Sequence, residues 1–232
     1  MELLNYVTDI IGATPSSQQL KGIEAVTENK KVTIRSGHGT GKDAFLSWVA
    51  WWYLSSKVNA KIVYLTPTAG LKTGVAWTEL LKWKPLSTFC MESNYSFRVN
   101  SLSKYDHWLK CVAVSDDYSP EYPELILSGI TGDRNLILVS EPSLISAAVF
   151  RPLRSILGNP ESKVVLAGNI LENKGFFYAT HFNDEEEEWT KLQWNSMESS
   201  LVVKEFSVNA AATYGLDSDI YRTRVEGNPP CL

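Results

Sequence analysis

The stretch Arg35-Ser36-Gly37-His38-Gly39-Thr40-Gly41-Lys42-Asp43 follows the apolar run Val32-Thr33-Ile34 and opens a second apolar segment, Ala44 to Leu54. Glycines spaced in this way let successive backbone N–H groups turn inward on a polyphosphate, and the N-terminus of a following helix adds partial positive charge. A lysine directly after the last glycine then reaches the terminal phosphates, and Lys42 stands at that position. Ser36 to Asp43 are therefore the candidate nucleotide-binding residues. Two of them depart from the strict pattern: Ser36 occupies the first glycine position, and Asp43 occupies the position of the Ser or Thr whose hydroxyl would bind Mg²⁺.

Hydrolysis of a bound triphosphate needs a second element, an apolar strand ending in acidic residues that hold the metal and activate the attacking water. Leu136-Ile137-Leu138-Val139-Ser140-Glu141 has that form, with Ser140 at the position of the metal-binding aspartate and Glu141 as the candidate base. Asp43 and Ser140 read together as an exchange, the carboxylate and the hydroxyl expected around Mg²⁺ each sitting on the other's element. Two unrelated changes in a decaying site are the alternative. A further strand, Val164-Val165-Leu166-Ala167-Gly168-Asn169, ends in an amide that could sense the γ-phosphate or its water. A plain strand-to-turn transition would also place Gly-Asn there.

The elements that must position these groups are legible as alternating patterns. β-branched and apolar runs recur at Lys31 to Arg35, Lys61 to Thr66, Trp108 to Val114, Leu136 to Ser140 and Lys163 to Ala167, as a sheet covered on both faces requires. Ala44 to Leu54 is apolar all round, which predicts a helix buried against the sheet. Trp77, Leu80 and Leu81 fit a helix in the next crossover, and Leu144 to Leu157 fits a third. Thr14-Pro15-Ser16-Ser17 is a cap signal before a lead-in helix, Gln18 to Thr27. The tryptophans read as core and interface packing rather than a base-stacking platform.

The 232 residues carry 44% hydrophobic content and a formal charge of −4, the balance of a soluble globular protein with no overall basic footprint for nucleic acid. No apolar run reaches membrane-spanning length and the N-terminus has no leader pattern, so neither a membrane nor export is expected. The three cysteines, Cys90, Cys111 and Cys231, are far apart and lack metal-ligand spacing, which predicts reduced, structural thiols. The acidic run Asp184 to Glu188 reads as a solvated segment.

At this point the chain resembles a known family, the ATPase domain of tailed-bacteriophage large terminases. Arg35-Ser36-Gly37-x-Gly39-x-Gly41-Lys42 is the terminase form of the phosphate loop, in which Ser36 is normal, and Gln19 corresponds to the glutamine that reads adenine. Thr66-Pro67-Thr68 with Trp77-x-Glu79 is similar to the segment after the second core strand. Leu166-Ala167-Gly168-Asn169 followed by Gly175-Phe176-Phe177-Tyr178 is similar to the motif that couples hydrolysis to movement. Tyr214-Gly215-x-Asp217-Ser218-Asp219-x-Tyr221-Arg222-x-Arg224-Val225-x-Gly227 is similar to the segment before the nuclease domain. Family members have Asp-Glu where this chain has Ser140-Glu141, and they continue into a nuclease domain past the point where this sequence stops.

The resemblance implies an α/β P-loop NTPase fold: a mostly parallel central sheet with helices on both faces. The expected organisation is an adenine-side lead-in at 1–30, an ATPase core at 31–181 and a small C-terminal subdomain at 182–232. The implied function is ATP hydrolysis with Mg²⁺, driving double-stranded DNA into a procapsid in the host cytoplasm. Partners would be the portal protein, the small terminase subunit and further copies of this chain in a ring, the lone chain being a monomer. Lys42 would hold the β- and γ-phosphates, Glu141 would activate water, Asn169 would link the γ-phosphate to the coupling segment, and Arg35 would touch the γ-phosphate in cis. Arg134, Arg151 and Arg154 are candidates for an arginine supplied in trans. No nuclease activity is expected. The rival readings are a degenerate nucleotide-binding structural module and a helicase-like ATPase acting on free nucleic acid.

Overall fold

The computed structural model describes residues 1–86, 90–99, 107–117, 121–183 and 188–231; of the acidic run at 184–188, only Glu188 lies among them. Eight strands form one sheet: β1 Lys31–Ser36, β2 Lys61–Thr66, β3 Cys90–Ser93, β4 Ser96–Val99, β5 Trp108–Ala113, β6 Asn135–Ser140, β7 Lys163–Gly168 and β8 Thr190–Trp194. Their spatial order is β3-β4-β5-β2-β6-β7-β1-β8. From β5 to β8 every neighbouring pair is parallel, while β4 joins β5 and β3 joins β4 antiparallel.

Both faces of the sheet are covered, and the alternation of side chains along each strand shows how. Leu136 and Leu138 of β6, with Val165 and Ala167 of β7, point into a core shared with the helices Ser17–Glu28 and Lys42–Ser56. Ile137 and Val139, with Val164 and Leu166, point the other way, onto Phe150, Leu153 and Phe177. Because both parities are apolar, the strands read as continuous runs rather than alternating ones. The Lys42–Ser56 helix is buried along its whole middle, Phe45 through Leu54. Six of the eight tryptophans are buried, Trp51 completely, with its indole N–H donating to the Leu80 carbonyl at 2.9 Å. They are core residues, as the composition suggested.

The five expected strands form, within a residue of their predicted ends. The β3–β4 hairpin and β8 were not expected. Asn94 and Tyr95 carry the hairpin's turn at φ +43° and +55°, the pair of left-handed residues that a two-residue turn of this hand requires. A tyrosine in the second of those positions, where Gly is usual, hides the signal. The expected helix from Leu144 to Leu157 is corrected: this crossover is made of 3₁₀ turns at Pro142–Leu144 and Ala147–Phe150 and one α-turn at Leu153–Ile156. Pro152 has no N–H to donate, and the Ser146 hydroxyl bonds the Ala148 N–H at 3.4 Å, so a continuous ladder cannot pass through.

One polar cluster is buried under β1. Thr33 Oγ1 lies 2.9 Å from Thr180 Oγ1 and 3.0 Å from His181 Nε2, all on the face covered by the Gly175–Phe182 helix. Burial, reinforced by the charges of Arg35 and Lys191, pushes the His181 imidazole down to about 3. The folded protein therefore keeps His181 neutral while the unfolded chain takes up a proton below about pH 6.5, so stability falls on acidification from there toward pH 3. Between pH 7 and pH 5, urea unfolding of the wild type should lose about 2 kcal/mol more than unfolding of His181→Gln. Equal losses in the two proteins would contradict the assignment.

Candidate nucleotide-binding site

β1 lies beside β7 and β7 beside β6, so the carboxyl ends of these three strands meet, and the candidate residues project from them. The loop after β1 turns on Gly39 (φ +72°) and Gly41 (φ +80°), a conformation that costs L-residues energy. Gly41 is the cap of the Lys42–Ser56 helix and makes no side-chain capping bond. The N–H groups of that first turn have no partners within the helix and are oriented for an anion.

Lys42 Nζ lies 3.0 Å from Glu141 Oε1 and 3.7 Å from Asp43 Oδ2. Burial works to lower the Lys42 ammonium, but Asp43 and Glu141, by charge and hydrogen bond, outweigh it and hold it above the usual lysine range. The Ser140 hydroxyl donates to Asp43 Oδ1 at 2.8 Å, and the Asn169 N–H donates to Glu141 Oε2 at 3.1 Å. Glu141 itself adopts φ +53°, an uncommon strained conformation for a residue with a side chain, of the kind found at functional sites. Its neighbour explains part of the fit: a Cβ on Gly168 would stand 2.8 Å from Glu141 Cα, so only glycine lets β7 come this close. Lys42, Asp43, Ser140, Glu141 and Asn169 thus form one cluster from three separate segments.

A cavity of about 390 Å³ opens beside it, lined by Gln19, Gly41, Lys42 and Asp43 on one side and by Trp48, Glu79 and Trp83 on another. The Gln19 carbonyl oxygen accepts from the Ser16 N–H at 2.9 Å and its amide donates to the Gly41 carbonyl at 3.0 Å. It therefore caps its own helix and holds the loop at the cavity wall. His38, at the tip of the loop, is lowered by burial and by the charges of Lys42 and Arg224, partly offset by Glu141.

Three sequence candidates have side chains engaged away from the loop's mouth. Arg35 points away from the loop: its guanidinium donates to the Gly227 carbonyl at 2.8 Å and to Gln193 Oε1 at 2.7 Å, also bonds Asn228, and covers the Phe182 ring. Strand parity places it with Thr33, on the face opposite the Lys42–Ser56 helix. Arg134 precedes β6 and so lies at the opposite end of the sheet from Glu141, bonded to Glu161 and to the Val58 carbonyl. The Asn169 amide is spent on carbonyls, donating to Ser36 at 2.7 Å and to Thr223 at 3.0 Å, rather than being turned toward the loop's mouth. Arg151 and Arg154 are exposed on the β6–β7 crossover.

Sequence reasoning did not anticipate how far the C-terminal segment is built into the loop. The Gly37 N–H donates to the Trp194 carbonyl at 2.8 Å, the His38 N–H to the Arg224 carbonyl at 2.7 Å, and Ser196 Oγ to the His38 carbonyl at 2.7 Å. Gly227, at φ +68°, passes so near that a Cβ there would lie 3.0 Å from Ser36 Cα. These partners are mostly backbone atoms, which leave no mark on a sequence except the glycines.

The donors present fit Mg²⁺, which takes hard oxygen ligands and keeps several waters. Asp43 and Ser140 would hold it. Among the described residues no group of three or more His, Cys, Asp or Glu could cage a metal alone, so phosphate oxygens and water would complete the shell. Such an ion supplies charge neutralisation at the phosphates.

No family model matches the sequence. The chain is 24% identical, over 95% of its length, to a probable terminase large subunit of Enterobacteria phage P7, and it spans 47% of that protein, about half. Among solved structures it superimposes on the large terminase ATPase domain of Thermus phage P74-26 with a TM-score of 0.73, at 11% identity and covering 98% of this chain and 99% of that one. It also superimposes on the large terminase of a thermophilic bacteriophage in complex with ATP-gamma-S, with a TM-score of 0.70 at 12% identity, covering 91% of this chain and 52% of that one. The fold is that of large-terminase ATPase domains, a P-loop sheet, as the motifs led one to expect.

Gly37 is the position at which loop and tail are most tightly packed, since a Cβ would stand 2.3 Å from both the Val225 carbonyl oxygen and Ser196 Oγ. Gly37→Ala should therefore push residues 222–227 off the loop, at a cost of about 1–3 kcal/mol. Amide hydrogen exchange at His38 and through 222–227 should quicken while that of β6 stays slow; unchanged protection of the tail would contradict the packing.

Proposed function

We propose that this chain is the ATP-hydrolysing motor domain of a phage large terminase, the part that turns phosphate-bond cleavage into movement of double-stranded DNA into a procapsid. The observation that carries the reading is the Lys42–Glu141–Asn169 constellation, 3.0 Å and 3.1 Å between neighbours, at the mouth of a phosphate loop. A binding-only module has no need of a carboxylate placed there. That the thermophilic bacteriophage's large terminase was solved with ATP-gamma-S supports nucleotide as the ligand.

In this account ATP enters with its phosphates along the loop N–H groups, and Lys42 leaves Glu141 to hold the β- and γ-phosphate oxygens. Glu141, released from Lys42 and still fixed by the Asn169 N–H, accepts a proton from water. The water oxygen bonds to the γ-phosphorus, the bond to the β-phosphate oxygen breaks, and ADP and phosphate result. Asp43 and Ser140 would hold Mg²⁺, whose chemistry is to offset phosphate charge. Gln19 lines the cavity wall and would read the base once its amide left the Gly41 carbonyl. Asn169 ties β7 to both the loop and the tail, so a shift of the loop would be felt at Thr223.

Portal protein, small terminase subunit and DNA are the partners this role implies, with copies of the chain arranged as a ring. Arg151 and Arg154, exposed on the β6–β7 crossover, remain the candidates for an arginine acting on a neighbour's phosphates, whereas Arg134 is held by Glu161. Work at the procapsid portal in the host cytoplasm follows from the same role, and no helix among the described residues is long and apolar enough to cross a membrane.

Nucleotide binding and phosphate release, each measured with and without double-stranded DNA, test the proposal. Lys42→Ala should weaken nucleotide binding by on the order of 10–100-fold, as loss of a charged hydrogen bond to phosphate does. Glu141→Gln should bind within a few-fold of wild type and lose roughly 10²–10⁴ in turnover. Persistent turnover in Glu141→Gln, or no release by the wild type with DNA and assembly partners present, would favour the binding-only module.

A further inference from the structure

The two positions that break the phosphate-loop pattern are in contact with each other. Asp43 is the second residue of the helix after β1 and Ser140 ends β6, 97 residues on, yet the Ser140 hydroxyl donates to Asp43 Oδ1 at 2.8 Å. Both are largely withdrawn from solvent, Ser140 at 4% exposure and the Asp43 side chain at 18%. A phosphate-loop ATPase ordinarily takes a hydroxyl from the helix and a carboxylate from the strand. Here the parents are exchanged, and one carboxylate and one hydroxyl still lie within one hydrogen bond of each other.

We infer that Asp43 and Ser140 form a divalent-cation site of exchanged parentage, in which the carboxylate comes from the phosphate-loop helix and the hydroxyl from β6. This deepens the ATPase reading and rests on it. The exchange has a consequence that the usual arrangement lacks. The carboxylate now follows Lys42 directly and lies beside the phosphate path. In the structure Lys42 offsets its charge, at 3.7 Å, together with that of Glu141. Once Lys42 turns to the phosphates, Asp43 and the phosphate oxygens repel unless a divalent cation lies between them. Nucleotide binding is thereby made conditional on the metal to a degree that a hydroxyl-bearing loop does not impose.

Two binding measurements on the full chain test this without relying on turnover: the affinity for ATP-gamma-S in Mg²⁺ and in chelator, and Mn²⁺ binding followed by electron paramagnetic resonance with that nucleotide present. Chelation should weaken nucleotide binding by on the order of 100-fold in the wild type and by roughly 10-fold or less in Asp43→Ser. Mn²⁺ binding should weaken in Asp43→Ser and recover in Asp43→Ser/Ser140→Asp, a non-additive cycle between contacting residues. Asp43→Asn, isosteric with the native side chain, repeats the test should Asp43→Ser fail to fold, as judged by its thermal melt. Nucleotide binding indifferent to chelator, Mn²⁺ binding unchanged by Asp43→Ser, or strictly additive losses would overturn the inference alone. If the folded wild type bound no nucleotide with or without metal, the ATPase reading would fall and this inference with it.

Discussion

The Lys42–Glu141 ion pair is the contact on which the arrangement of this site depends. It joins the helix after β1 to the end of β6, across the intervening strand β7, and β7 closes the triangle through the Asn169 N–H on the other Glu141 oxygen. A buried pair of this kind contributes little net stability, because desolvation offsets most of the attraction, but removing one partner leaves an uncompensated charge. Its value is positional. It keeps a lysine and a carboxylate poised at the carboxyl ends of three parallel strands, where each can be released to a phosphate or to a water. The left-handed Glu141 backbone and the close approach at Gly168 are local costs that the packed sheet enforces.

A second constraint comes from the far end of the chain. Residues 194–196 and 222–227 take up loop N–H and C=O groups that would otherwise face solvent or ligand, and Gly37 and Gly227 are glycines because two backbones pass where a Cβ would not fit. Asn169 joins the two systems, with its main-chain N–H on Glu141 and its side chain bridging Ser36 and Thr223. A change of charge at the phosphate loop is thereby connected by direct hydrogen bonds to the C-terminal segment, as the proposed motor role requires.

Much of this was legible in the sequence, for definable reasons. β1, β2, β5, β6 and β7 are buried on both faces, so their signal is a continuous apolar run bounded by turns, whereas the adjacency of β6, β7 and β1 is a property of the sheet that those runs do not carry. The lead-in helix was marked by the cap signal Thr14-Pro15-Ser16-Ser17, and in the structure Ser16 forms a reciprocal capping box with Gln19. What escaped has an equally physical origin. The tail's grip on the loop uses the carbonyls of Trp194 and Arg224, and carbonyls are the same in every residue. β8 and the β3–β4 hairpin are short edge elements with little burial to enforce a pattern. Arg35 could have been assigned by parity, since it shares a face with Thr33.

A structure of the chain with ATP-gamma-S and Mg²⁺ would show whether Lys42 exchanges Glu141 for phosphate and so frees the carboxylate for water. The account predicts Lys42 Nζ on β- and γ-phosphate oxygens, Glu141 released from Lys42 but still held by the Asn169 N–H, and the metal beside Asp43 and Ser140. Nucleotide bound away from the Gly37–Lys42 loop, or bound there with the Lys42–Glu141 pair intact, would contradict it.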